Sequence, residues 1–113
     1  MHELQIAHDL AVIVVEAANR ERLNRVTSVN LQFGEMIQIV PDIFKFAFDE
    51  ATKGTLAQDA EIILEIIPIR IRCGNCQKEA DIENLTFRCT FCNSSNINII
   101  NGKELIIKSI EGD

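Results

Sequence analysis

The chain has 113 residues, 47% of them hydrophobic, and a formal net charge of −6. That length suffices for one modest domain, or for a small core joined to a metal-stapled module. The acidic balance argues against a broad phosphate-binding surface. Tyrosine and tryptophan are absent, which leaves phenylalanine alone to stack on bases, and no apolar run approaches the length of a membrane span.

Residues 3 to 20 read as an amphipathic helix. Gln5, His8, Asp9, Glu16, Asn19 and Arg20 form its polar stripe, and Leu4, Ile6, Ala7, Leu10, Ala11, Ile13, Val14, Ala17 and Ala18 cover the rest. The opening Met1-His2-Glu3 is polar and acidic where a secretory signal carries a basic region, so a cytoplasmic location is expected. Residues 26 to 33 alternate as a strand, with Val29, Leu31 and Phe33 facing one way, and Gly34-Glu35 ends it. Pro41-Asp42 starts a second helix, whose stripe is Phe44, Ala47, Phe48 and Ala51 and whose stop is Gly54.

Residues 60 to 72 read as one long strand in which the apolar phase flips at Pro68. A proline cannot donate to a sheet ladder, so the pairing should change partner there. Asn93 to Asn96 and Asn101-Gly102 are turns, and Glu104 to Ile110 is a last strand with Leu105 and Ile107 facing together. The expected fold is α+β: two helices on a small mixed three-stranded sheet, with a zinc-ribbon module inserted before the last strand. Residues 1–70 would form the core, completed by 102–113, and residues 71–101 the ribbon.

All four cysteines lie between Cys73 and Cys92, as the pairs Cys73-Gly-Asn-Cys76 and Cys89-Thr-Phe-Cys92. Two residues between paired thiols let both sulfurs turn onto one ion, and two such knuckles complete the tetrahedron of a structural zinc. Gly74 is expected to supply the backbone freedom of the first knuckle. Two disulfides or four free thiols are the competing readings, and rubredoxin-like iron is the next metal. A filled tetrahedron leaves no open position, so the metal should hold structure, and no enzyme is expected.

Histidine occurs twice. His8, on the polar stripe, reads as a solvated side chain. His2 sits beside a free α-amine and two amides, a donor set that suits square-planar nickel(II) or copper(II). A histidine next to Met1 should also leave the initiator in place. The first N–H groups of a helix have no intrahelical acceptor, so using them as ligands breaks no helix bond, and the charge of a deprotonated amide suits that end of the dipole. The competing reading is an exposed terminal histidine.

Met1-His2-Glu3-Leu4, Val29-Asn30-Leu31-Gln32-Phe33-Gly34-Glu35, Phe46-Ala47-Phe48-Asp49, Gly54-Thr55, Ala60-Glu61-Ile62, both CxxC pairs and Gly102-Lys103-Glu104-Leu105 resemble the hydrogenase nickel-incorporation proteins, the HypA/HybF family, across essentially the whole chain. The resemblance implies a nickel metallochaperone for NiFe-hydrogenase. Its nickel would bind to the Met1 α-amine, His2 and the Glu3 backbone amide, and its zinc to Cys73, Cys76, Cys89 and Cys92. The implied partners are the HypB-type nickel GTPase and the hydrogenase large subunit, with urease accessory proteins in some lineages, and neither nucleic acid nor membrane. A monomer or weak homodimer is expected. Some relatives carry a histidine near the second CxxC pair, but Asn93-Ser94-Ser95-Asn96 holds none here, so a histidine switch in the ribbon is not expected. The alternative function is a zinc-ribbon adaptor for nucleic acid or another protein. It would concentrate lysine and arginine near the knuckles, where Lys78 and Arg88 instead face Glu79, Asp81 and Glu83. Partner binding is expected to move the ribbon relative to the core at the Pro68 and Gly102 junctions, and a changed nickel affinity to follow from that motion.

Overall fold

The computed structural model describes residues 3–82 and 84–113. In chain order the elements are α1 (Glu3–Arg20), β1 (Val26–Gly34), a 3-10 turn (Glu35–Ile37), α2 (Pro41–Thr52), β2 (Glu61–Ile67), β3 (Arg70–Cys73), β4 (Glu79–Asp81), β5 (Ile97–Asn101) and β6 (Leu105–Gly112). Two three-stranded sheets result, one ordered β2-β1-β6 and the other β4-β3-β5. In the first, β1 pairs parallel with β2 and antiparallel with β6, so the fold is α+β with a mixed sheet. The expected change of partner is found at Pro68: β2 pairs with β1, and after the break β3 pairs with β4 and β5.

Alternation in β1 places Val29, Leu31 and Phe33 inward, none more than 1% exposed. Both helices cover that face. Phe44 of α2 meets Phe33 edge-on at 5.0 Å between ring centroids, and Phe48 lies 6.0 Å from Phe44, an arrangement that favours the aromatic quadrupoles as well as burying area. From α1, Ala7, Leu10, Ala11, Val14 and Ala18 are buried, while Leu4, Val12 and Ile13 stay exposed. The apolar arc of α1 is thus wider than the stripe that α2 and the sheet can cover. At the other end, α2 stops after Thr52 and Gly54 takes a φ of +79°, the left-handed turn expected there.

The last strand departs from simple alternation. Its register against β1 shifts between Asn30, opposite Ser109, and Leu31, opposite Ile107. Lys108 is therefore looped out as a bulge. Ile107 and Ile110, three residues apart, both pack on the core, whereas Leu105 remains 47% exposed although it follows the same face as Ile107 in sequence.

A second, smaller cluster lies in the other sheet: Ile69, Ile71 and Ile82 are buried, with Met36, Phe87, Ile97 and Ile99 packed against them. The molecule measures 54 × 25 × 16 Å with a radius of gyration of 17.3 Å. A compact chain of this length would have about 13 Å, so the two clusters lie end to end rather than sharing one core.

Phe44 is fully buried in the larger cluster and touches two other rings. Phe44→Ala is expected to lower stability by about 3–5 kcal/mol, seen as a lower urea midpoint with an unchanged slope. A wild-type midpoint would show that the aromatic cluster does not hold the helices to the sheet.

Candidate metal centres

The two cysteine knuckles are the same local structure built twice. In the first, the Cys73 N–H donates to the Lys78 carbonyl at 2.9 Å and the Gln77 N–H returns to the Cys73 carbonyl at 3.1 Å. The second repeats this, with Cys89 N–H to the Ser94 carbonyl and Asn93 N–H to the Cys89 carbonyl, both at 2.9 Å. Each loop turns back through a left-handed residue one place after its second cysteine, Gln77 at φ 65° and Asn93 at φ 62°. Asn tolerates that conformation and Gln less readily. The expected role of Gly74 is corrected here. Its φ is not in the left-handed region, and a Cβ there would meet the end of the Asn96 side chain at 2.6 Å, which can swing aside.

These turns aim backbone amides at the leading sulfur of each pair. Cys73 Sγ accepts from the N–H groups of Asn75 and Cys76 at 3.3 and 3.4 Å. Cys89 Sγ accepts from Phe91 and Cys92, both at 3.4 Å. Such donors favour the thiolate. The Cys76 amide foremost holds the Cys73 thiol below its ordinary range, and the Cys92 amide foremost brings Cys89 down to about 6. On Cys92 the Ser94 amide pulls downward, but the Cys73 sulfur, burial and the remaining two sulfurs outweigh it and push Cys92 up to about 12.

The knuckles face each other across a four-sulfur cage. Cys73 and Cys92 sulfurs lie 3.5 Å apart, Cys76 and Cys89 sulfurs 3.6 Å apart, and all four lie within 4.8 Å of one another. A disulfide requires about 2.05 Å, so the four cysteines are free thiols converging on one point. Among the described residues this is the group of cysteine, histidine and acidic side chains able to hold a metal. The four residues that the spacing selects are the four that the fold brings together.

The Met1 and His2 donors lie outside the described residues. Glu3, the third member of that set, opens α1 and is buried at 5% exposure. One carboxylate oxygen accepts the Val40 N–H at 3.1 Å. Val40 stands just before α2 and offers no side-chain cap of its own. The Glu3 carboxylate therefore sits at the positive end of the second helix, where a negative charge is favoured, and pins the start of α1 to the start of α2. The sequence names the Glu3 amide as a donor and leaves the part of its carboxylate open; a side-chain contact across 37 residues leaves no periodic signal. His8 is exposed on α1, beside a shallow hollow lined by Ala11, Val12, Val15, Glu16, Ala51 and Thr55.

A family model described as hydrogenase/urease nickel incorporation, metallochaperone, hypA matches residues 1–112. The hydrogenase maturation factor HypA of Aquifex aeolicus is 34% identical over 111 residues, covering 98% of this chain and 96% of that relative. HypA of Trichodesmium erythraeum is 39% identical over 98% of this chain and 95% of its own, and HybF of Klebsiella pneumoniae 34% over the full length of both. The solution structure of the Ni metallochaperone HypA from Helicobacter pylori shares the fold, with a TM-score of 0.69 over 99% of this chain and 97% of that one, at 24% identity. The family consists of maturation factors, not enzymes, and no helix among the described residues is long and apolar enough to cross a membrane. By a family match spanning nearly its whole length and by relatives above 30% identity across it, this chain belongs to the HypA family of nickel-incorporation metallochaperones for hydrogenase maturation.

Proposed function

We propose that this chain binds Ni(II) as exchangeable cargo through the Met1 α-amine, His2 and the Glu3 backbone amide, and hands it on during NiFe-hydrogenase maturation in the cytoplasm. Residues 1–70 with 102–113 serve as the nickel-binding core and residues 71–101 as a ribbon stapled by structural zinc. The proposed partners are a HypB-type GTPase and the hydrogenase large subunit, with urease maturation a second destination that the family description also covers.

The observation that carries the nickel assignment is the anchoring of Glu3. With its carboxylate held by Val40, the first turn of α1 is set against α2 instead of fraying, and its early N–H groups lack helix acceptors. The Glu3 amide, which belongs to that turn, is thereby held in place as a donor. Zinc in the cage is supported by its size. Zinc–sulfur bonds of about 2.3 Å place the corners of a tetrahedron about 3.8 Å apart, close to the 3.5 and 3.6 Å separations found. Four thiolates fill the coordination sphere, so zinc would supply rigidity alone.

Titration calorimetry on untagged, zinc-loaded protein tests the cargo site, with a form carrying one extra residue before Met1 alongside. The wild type is expected to bind about one nickel per chain and the extended form to lose it, because the amine moves away from the imidazole. Equal binding by both would overturn the terminal site. Glu3→Gln should keep nickel binding, since the amide remains and the side-chain carbonyl can still accept from Val40. Glu3→Ala should cost about 1.5–3 kcal/mol of stability through the lost charged hydrogen bond. Loss of nickel in Glu3→Gln would assign the carboxylate itself as a ligand.

Zinc affinity should fall as pH falls. Near neutrality Cys92 must surrender a proton to bind, because its thiol lies at about 12. Below about 6 the Cys89 thiol is also protonated in the metal-free chain, so roughly one more proton leaves per zinc bound and the pH dependence steepens. Competition with a chromophoric chelator across that range measures the slope; a slope that flattens on acidification would contradict it.

A further inference from the structure

The turn that follows β1 joins the larger hydrophobic cluster to the smaller one, which takes in Ile69, at the end of the 1–70 segment, as well as Ile71 and Ile82 of the ribbon. One carboxylate oxygen of Glu35 accepts the Ile69 N–H at 3.1 Å, at the first buried residue of the smaller cluster. The next residue, Met36, donates its N–H to the Gly102 carbonyl at 2.9 Å and packs its side chain against Ile69, Ile71 and Ile82. Gly34 donates to the Glu104 carbonyl at 2.7 Å, and a Cβ on Gly34 would fall 2.0 Å from the Gly102 carbonyl oxygen. The outgoing and returning strands are thus gripped by a third pass of chain.

The ribbon answers from its own side. Asn84 and Leu85 are successive left-handed residues, at φ 54° and 58°, and leucine has no polar side chain to ease that conformation. Backbone of this kind persists where the surroundings over-determine it. Leu85 lines a cleft of about 260 Å³ together with Gly34, Glu35, Ile39, Pro41 and Ile66 of the other half. Gln38, also on that cleft, is left-handed as well, at φ 58°.

We propose that residues Gly34 to Met36 form a latch that locks the ribbon and the helix–sheet core into one rotating body. Freeing Glu35 and Met36 would release the ribbon to swing about Pro68 and Gly102. Two peptide links alone would leave an end-to-end molecule loosely jointed; the latch supplies the missing constraint. It holds whatever metal the terminus carries and does not depend on the nickel reading.

Nitrogen-15 relaxation on the full, metal-loaded chain tests this directly. In the wild type, amides of α1 and α2 and those of β3 and β5 should fit one common, elongated tumbling tensor. In the double variant Glu35→Ala with Met36→Ser, ribbon amides should report a shorter correlation time than core amides while both keep dispersed shifts. Glu35→Gln, which retains an acceptor for Ile69, should behave as wild type. A wild-type ribbon that already tumbles faster than the core would overturn the proposal, as would a double variant that still tumbles as one body. Should the double variant lose its dispersed spectrum, Glu35→Ala alone decides by the same comparison, since it removes the acceptor for Ile69 and leaves Met36 packed on the smaller cluster. Faster ribbon tumbling in that variant supports the latch and unchanged tumbling overturns it.

Discussion

The crossing of three chain passes at Gly34, Ile69 and Gly102 is the constraint on which the rest of this structure depends. A Cβ on Gly34 would collide with the Gly102 carbonyl, and one on Gly102 would lie 2.8 Å from the Ile69 Cα. Gly102 also takes a φ of +112°, which side chains rarely adopt. With the passes this close, the chain can leave the core at the end of β2 and return to the free edge of β1 as β6. The inserted module must then have its entrance and exit side by side. Antiparallel pairing of β3 with β5, which sets Arg70 opposite Asn101, meets that requirement. The insertion is thereby a continuation of strand geometry, with the glycines allowing the contact.

The elements legible in the sequence were those whose signal is local. Alternation found β1, the Pro41 start and the apolar stripe found α2, and the phase flip at Pro68 found the point where one sheet gives way to the other. The cysteine spacing found the cage, because thiols two residues apart have few other ways to satisfy a metal. What was missed depends on partners distant in sequence. The Lys108 bulge follows from pairing against β1, so Ile107 and Ile110 share a face that period-two reading assigns to Ile107 and Leu105. Met36 carries no local sign that it belongs to the cluster of Ile69 and Ile71. The buried Glu3 carboxylate belongs to the same class. Gly74 does not supply the left-handed backbone of its knuckle, since the left-handed turns fall on Gln77 and Asn93.

The duplicated knuckle explains why the cage is closed. Each leading sulfur already receives two amide donors, and the four sulfurs face inward with spacing that a single tetrahedral ion fills. An ion held in this way has no position left to offer a partner, and removing it would take away the staple on which so small a cluster relies. Of the two histidines, His8 lies within α1, where neighbouring N–H groups are committed to the helix ladder.

The segment from Gly34 to Pro41 links these two demands. Its first residues grip the ribbon through Ile69 and Gly102, and Val40 near its end receives the Glu3 carboxylate. Between them lies a short turn closed by the Gln38 N–H to the Glu35 carbonyl at 3.1 Å, with Gln38 left-handed. A segment this short, fastened at both ends, cannot shift at one end without straining the other, because close-packed contacts are not continuously deformable. The ribbon and the start of α1 share no strand and are far apart in sequence, yet each is fastened to the same eight residues of chain. Any change that turns the ribbon must either break the latch or pull on the residue that holds Glu3.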